Sequence, residues 1–205
     1  MKTLILLLFA NLGAGALAQA PVSLTLGNIT AEPGSTAVLA LTIASGGSQP
    51  AGVQWTVTYP AAAITAISVT PGPAAVAAAK TISCAGSNGA FVCLCTGINT
   101  NLIGDGVLAN VSLTLAPAAT GQVPVGLAVL LSASLAADAI ATIGSGGNIA
   151  VFSRFDLNHD GKVDLLDLQL LIQQILSGST AASDFNADGA SNILDVQLLV
   201  RGALP

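Results

Sequence analysis

Hydrophobic and polar positions alternate strictly through much of the chain. Val22, Leu24 and Leu26 alternate with Ser23 and Thr25, and Ala37, Leu39, Leu41 and Ile43 with Thr36, Ala40 and Thr42. Val53, Trp55, Val57 and Tyr59 alternate with Gln54, Thr56 and Thr58. Val107, Ala109, Val111, Leu113 and Leu115 alternate with Asn110, Ser112 and Thr114. Period two with threonine on the second face predicts half-buried strands. Gly46-Gly47-Ser48, Pro71-Gly72-Pro73 and Gly104-Asp105-Gly106 punctuate them as turns. Many short strands so divided predict a β-sandwich, with no helical period before residue 160.

One hairpin can be placed in register. Asn88-Gly89 is the preferred two-residue type I′ turn. Counting outward, Ser87 faces Ala90, Gly86 faces Phe91, and Cys84 faces Cys93 at a non-hydrogen-bonded site. Cα atoms approach to about 4.5 Å there, within reach of a disulfide. Cys84–Cys93 is therefore the expected bond. Cys95 is left over on the Cys93 face, either buried as a small hydrophobe or as the alternative partner of Cys84.

The pattern changes after residue 155. Asp156-Leu-Asn158-His-Asp160-Gly161-Lys162-Val-Asp164-Leu-Leu-Asp167 recurs 28 residues later as Asp184-Phe-Asn186-Ala-Asp188-Gly189-Ala190-Ser-Asn192-Ile-Leu-Asp195. An apolar helical run follows each copy. Calcium takes six to eight oxygen ligands, and a twelve-residue loop supplies them from positions 1, 3, 5, 7, 9 and 12. The ligands predicted in the first loop are Asp156, Asn158, Asp160, the Lys162 carbonyl, Asp164 and Asp167. Those in the second are Asp184, Asn186, Asp188, the Ala190 carbonyl, Asn192 and Asp195. Gly161 and Gly189 fall at position 6, where the chain turns sharply. Helices are expected from about position 10. Magnesium demands stricter octahedral geometry, so two calcium ions are the expected cofactors.

Charge sharpens this division. Hydrophobic residues make up 53% of the 205-residue chain, charged residues 7%, and the net charge is −5. Seven of the ten acids lie between Asp156 and Asp195, whereas residues 19–150 carry only Glu32, Lys80, Asp105 and Asp138. No basic patch marks a nucleic-acid partner. The β segment has no histidine for a Ser-His-Asp triad, and its three acids lie in separate segments, so no enzyme activity is expected. Met1-Lys2, an apolar run to Leu12 and Ala16-Leu17-Ala18 read as a secretory signal peptide spanning 1–18. The longest later apolar stretch, residues 123–137, is broken by Pro124 and Gly126 and is shorter than the roughly 20 residues a spanning helix needs. A secreted, extracellular protein is expected.

Two loop-then-helix units without entering helices resemble the type I dockerin domain, over residues 153–205. The segment 19–152 resembles the cohesins, on Pro33-Gly34, Gly52-Val53-Gln54-Trp55-Thr56-Val57-Thr58-Tyr59-Pro60 and Gly104-Asp105-Gly106-Val107-Leu108-Ala109-Asn110-Val111. The resemblance implies an all-β jelly-roll sandwich followed by a small α-helical paired calcium-loop module. It implies calcium-dependent protein–protein assembly with cohesin- or dockerin-bearing chains, copies of this one included, in extracellular polysaccharide binding or catabolism. It places partner contacts at Leu165, Leu166, Ile172 and Gln173 in one copy and at Ile193, Leu194, Val200 and Arg201 in the other. Dockerins often carry hydroxyl residues at loop positions 10 and 11. The aliphatic residues here serve an interface or a core. The rival reading is a secreted carbohydrate-binding sandwich that the dockerin caps.

Overall fold

The computed structural model describes residues 20–178 and 183–203. The expected signal peptide lies outside the described residues. The strands are β1 (Val22–Leu26), β2 (Ile29–Ala31), β3 (Thr36–Ala44), β4 (Gly52–Thr58) and β5 (Ile64–Pro71). After the short helix α1 (Pro73–Ala77) come β6 (Thr81–Ser87), β7 (Ala90–Thr96), β8 (Gly106–Leu115) and β9 (Gly121–Ala133). Then follow β10 (Ala139–Ile140), β11 (Thr142–Ser145) and β12 (Gly147–Val151), and the helices α2 (Leu165–Leu176) and α3 (Ile193–Ala203).

Two sheets face each other. One has the order β11-β1-β3-β8-β5, the other β2-β12-β9-β4-β7-β6, with β10 paired to β9. The alternating apolar positions meet between them. Leu24, Leu39, Leu41, Trp55, Val57, Leu108, Leu113 and Ile149 are all buried in one core. The sandwich expected from period two is present, and Trp55 belongs to its interior. Most ladders are antiparallel, but β1 pairs with β11 and β2 with β12 in parallel.

Helix α1 departs from the expectation of no helix before residue 160. At five residues it is too short to show a period. Proline opens it, where a missing N–H costs nothing. Gly72 just before it lies against β8, and a Cβ there would come within 2.3 Å of the Val107 carbonyl oxygen. Of the stretch 123–137, residues 123–133 lie in strand β9 and the remainder forms a turn. Pro124 is tolerated because β4 pairs with β9 only from Gly126 onward.

The β6–β7 hairpin has the expected register. Asn88 and Gly89 adopt φ of 54° and 92°, as a type I′ turn requires. Cys84 faces Cys93 with Cα atoms 4.1 Å apart, and the two are disulfide-bonded. Cys95 is free and buried, so the alternative pairing is not the one formed. Burial pushes its thiol up to about 11.

The outer face of the second sheet is uncharged where β6, β7, β4 and β9 lie side by side. One row runs Ser83, Leu94, Gln54, Leu131, and the next Ala85, Val92, Thr56, Ala128. Val92, Leu94 and Leu131 are exposed there.

Candidate functional site

Each acidic loop is wound about its own carboxylates. In the first, the Asp160 and Gly161 amides donate to Asp156 at 3.1 and 2.9 Å. The Leu157, Asn158 and Asp164 amides donate to Asp167 at 2.7, 3.2 and 2.8 Å. The second loop repeats this. The Asp188 and Gly189 amides donate to Asp184 at 3.1 and 2.7 Å. Those of Phe185, Asn186 and Asn192 donate to Asp195 at 2.7, 3.2 and 2.8 Å. The backbones agree as well: Gly161 and Gly189 have φ of 89° and 91°, and His159 and Ala187 both 59°. A Cβ at either glycine would meet nothing within 4 Å, so the left-handed conformation, not crowding, demands glycine.

Positions 3 and 5 are tied together. Asn158 Nδ2 donates to Asp160 at 2.9 Å, and Asn186 Nδ2 to Asp188 at 2.8 Å. The Asn186 side chain, then the Ala190 amide, hold the Asp188 carboxyl below the usual carboxylate range. At position 7, the Ala190 carbonyl accepts from Asn192 Nδ2 at 3.2 Å. Position 9 has a second duty that its reading as a ligand missed. Asp164 is the N-cap of α2, accepting from the Leu166 amide at 2.8 Å, while Asp167 accepts the Asp164 amide in return. Asn192 accepts from Leu194 in the same way. The signal was present in sequence as Asp-x-x-Asp ahead of an apolar run, the pattern of a capping box.

The donor set fits a hard cation. It is all oxygen, as calcium requires. Asp156, Asp167 and Asp195 are buried, and their hydrogen-bond partners among the described residues are backbone amides. A buried carboxylate with no cation beside it is costly. Each oxygen that accepts one amide keeps a further lone pair for a metal. Among the described residues no three His, Cys, Asp or Glu side chains gather into a metal cluster of their own. The loops instead intersperse their carboxylates with Asn side chains and peptide carbonyls.

Helices α2 and α3 pack on each other, and each buries one leucine, Leu171 and Leu199. The rings of Phe155 and Phe185 meet edge to face at 4.9 Å. Gly202 leaves room for Phe155, whose ring a Cβ would approach to 2.7 Å. These contacts form the module's core. The aliphatic pairs at positions 10 and 11 lie outside it: Leu165 and Leu166 are 65% and 53% exposed, Ile193 and Leu194 66% and 48%. Ile172, Gln173, Val200 and Arg201 are exposed too. All eight residues assigned to partner contact are therefore on the surface.

Residues 154–202 match the family model of the dockerin type I domain. No curated protein matches the chain. Solved structures resembling it include the sixth cohesin of scaffoldin B from Acetivibrio cellulolyticus in complex with a Cel5 dockerin mutant, with 17% identity and a TM-score of 0.56 over 65% of this chain and 100% of that one. A non-cellulosomal cohesin from the archaeon Archaeoglobus fulgidus gives 14% and 0.56 over 68% and 97%. CaCohA2 from Clostridium acetobutylicum gives 20% and 0.54 over 65% and 92%. The sandwich thus has the cohesin fold, and a helical dockerin region follows it. Among the described residues no helix is long and apolar enough to cross a membrane.

Proposed function

We propose that this chain is a secreted assembly protein that docks other cohesin- or dockerin-bearing chains in a calcium-dependent way and catalyses no reaction. Its signal peptide spans 1–18, its cohesin-like sandwich 19–152 and its dockerin module 153–205. Two calcium ions are held, one by Asp156, Asn158, Asp160, the Lys162 carbonyl, Asp164 and Asp167, the other by Asp184, Asn186, Asp188, the Ala190 carbonyl, Asn192 and Asp195. The observation that carries this reading is the exposure of Leu165, Leu166, Ile193 and Leu194 beside loops that bury Asp156, Asp167 and Asp195. Each ion would supply the positive charge those carboxylates lack and hold the start of its helix in place. The exposed aliphatic pairs, with Ile172, Gln173, Val200 and Arg201, would then form one surface for a partner. The cohesin–dockerin complexes among the similar structures support such a partner. The process served is extracellular polysaccharide binding or breakdown.

Immobilised cohesins and dockerins, offered the full chain in calcium and in chelator, test the reading. Capture by at least one is expected in calcium and not in chelator. Leu166→Lys with Leu194→Lys should lower capture by cohesins at least tenfold, since two buried aliphatic contacts are replaced by desolvated charges. Capture that ignores chelator would sink the calcium dependence.

One observation favours the rival reading of a carbohydrate-binding sandwich with a dockerin cap. A cleft of about 330 Å³ is lined by Tyr59, Phe91, Ser87, Asn88 and Thr65, and half-buried aromatic rings beside polar groups are surfaces on which sugars stack. Retention of the chain on insoluble polysaccharide, with no capture by any cohesin or dockerin, would favour it.

A further inference from the structure

We infer that the two calcium loops have different duties: an ion in the first fixes the module to the sandwich through Phe152 and His159, whereas an ion in the second serves the module alone. This rests on the calcium binding proposed above. The first loop follows the sandwich almost at once. Val151 ends β12, and the Phe152 amide still donates to the carbonyl of Ala31 in β2 at 3.1 Å. The chain then folds back, with the Asp156 and Phe155 amides donating to the Ser153 carbonyl and hydroxyl at 3.0 and 3.3 Å. This brings loop position 4 to the end of the sandwich, where the His159 and Phe152 rings meet at 5.1 Å.

The residues in which the loops differ follow this contact. Positions 1, 3, 5, 6 and 12 are the same in both. At positions 4, 7 and 8 the first loop has His159, Lys162 and Val163, and the second has Ala187, Ala190 and Ser191. His159 meets Phe152, while Lys162 and Val163 line the crevice that Pro33 and Thr120 line from the sandwich side. Ala187 and Ala190 are exposed. Burial differs in the same sense. Asp156 lines the crevice and is 2% exposed, whereas Asp184, its counterpart, is half-buried. A buried carboxylate with no cation beside it is costly, so an empty first loop gains by turning Asp156 out to water. That movement draws the loop off Pro33 and Thr120 and parts His159 from Phe152. An ion in the loop reverses it. Contacts that hold the closed loop on the sandwich thereby favour the ion, and the ion favours the junction by the same factor.

Calorimetric titration of calcium into the stripped full-length chain tests this in two single-site backgrounds. Asp184→Ala leaves the first site to be read, and Asp156→Ala the second. Phe152→Ala should weaken the first site about fivefold, the worth of one aromatic contact, and leave the second unchanged. His159→Ala gives the first loop the residue that the second already holds there at the same φ of 59°, so the loop keeps its shape. It should weaken the first site by a similar factor, and the two changes together no further than either alone, because both remove one contact. Trypsin reads the junction itself. In saturating calcium, cleavage after the exposed Arg154 should be slow in Asp184→Ala and faster once Phe152→Ala is added. A first-site affinity that neither variant moves overturns the inference, and so does an equal loss at both sites, which would mean general destabilisation. Cleavage that Phe152→Ala leaves unchanged overturns it too. If the wild type takes up two ions in any of these cases, the calcium reading stands and only the junction fails; if it takes up none, both fail.

Discussion

Asp105 shows how a single exposed carboxylate can fasten the sandwich. It accepts the Ser45 amide at 2.7 Å, tying the end of β3 to the start of β8. The Ser45 side chain and then its amide hold the carboxyl below the usual range. A carboxylate whose folded pKa is lowered contributes stability that is complete above its ordinary value near 4 and is lost as pH falls through the folded value. The gap in melting temperature between wild type and Asp105→Asn should therefore be largest near neutral pH and shrink below about pH 4. A gap unchanged down to pH 2 would contradict the assignment. At this scale the acidic loops were legible, because the spacing of their acids, asparagine and glycine is local and recurs 28 residues later. The capping by Asp164 and Asn192 was legible too, but was hidden behind their reading as ligands. The roles of Leu165, Leu166, Ile193 and Leu194 were not. An aliphatic residue at a helix start has the same local pattern in a core as at an interface, and only the packing of α2 on α3 decides which.

The β6–β7 hairpin carries the clearest prediction about an element. Its turn, register and disulfide all followed from Asn88-Gly89 and a count of residues. Closing the ten-residue loop from Cys84 to Cys93 limits the unfolded chain, and its loss should cost about 2.5 kcal/mol. Chemical denaturation of the Cys84→Ala, Cys93→Ala variant measures this. Cys95 stays buried and protonated in the native protein, so alkylation at pH 8 should find no reactive thiol until the chain is unfolded, and then one. Labelling of the native chain would contradict the burial of Cys95. The strands were readable because each has one face in the core. Helix α1 was not, since one turn set by Gly72 and Pro73 leaves no period. Nor were the parallel pairs β1–β11 and β2–β12, since their strands lie far apart in the chain.

For the molecule as a whole, the sequence separated a sparsely charged sandwich from an acidic module but did not say how they meet. In the structure the first loop sits against the sandwich across a crevice of about 150 Å³, lined by Pro33, Thr120, Phe152 and Val163 among others. The second loop has Ala187 where the first has His159, the residue that stacks on Phe152. Nothing in a repeat that keeps the same spacing announces that one copy faces a neighbouring module. Both loops nonetheless keep the same amide-to-carboxylate hydrogen bonds, and the proposed docking surface depends on that arrangement holding. Calorimetric titration of calcium into the chelator-stripped full chain is the most direct test. The account predicts two bound ions for the wild type and one for Asp184→Ala, with far-UV dichroism gaining helix as the ions bind. Negligible heat, with the helix content of the stripped chain already complete, would contradict it.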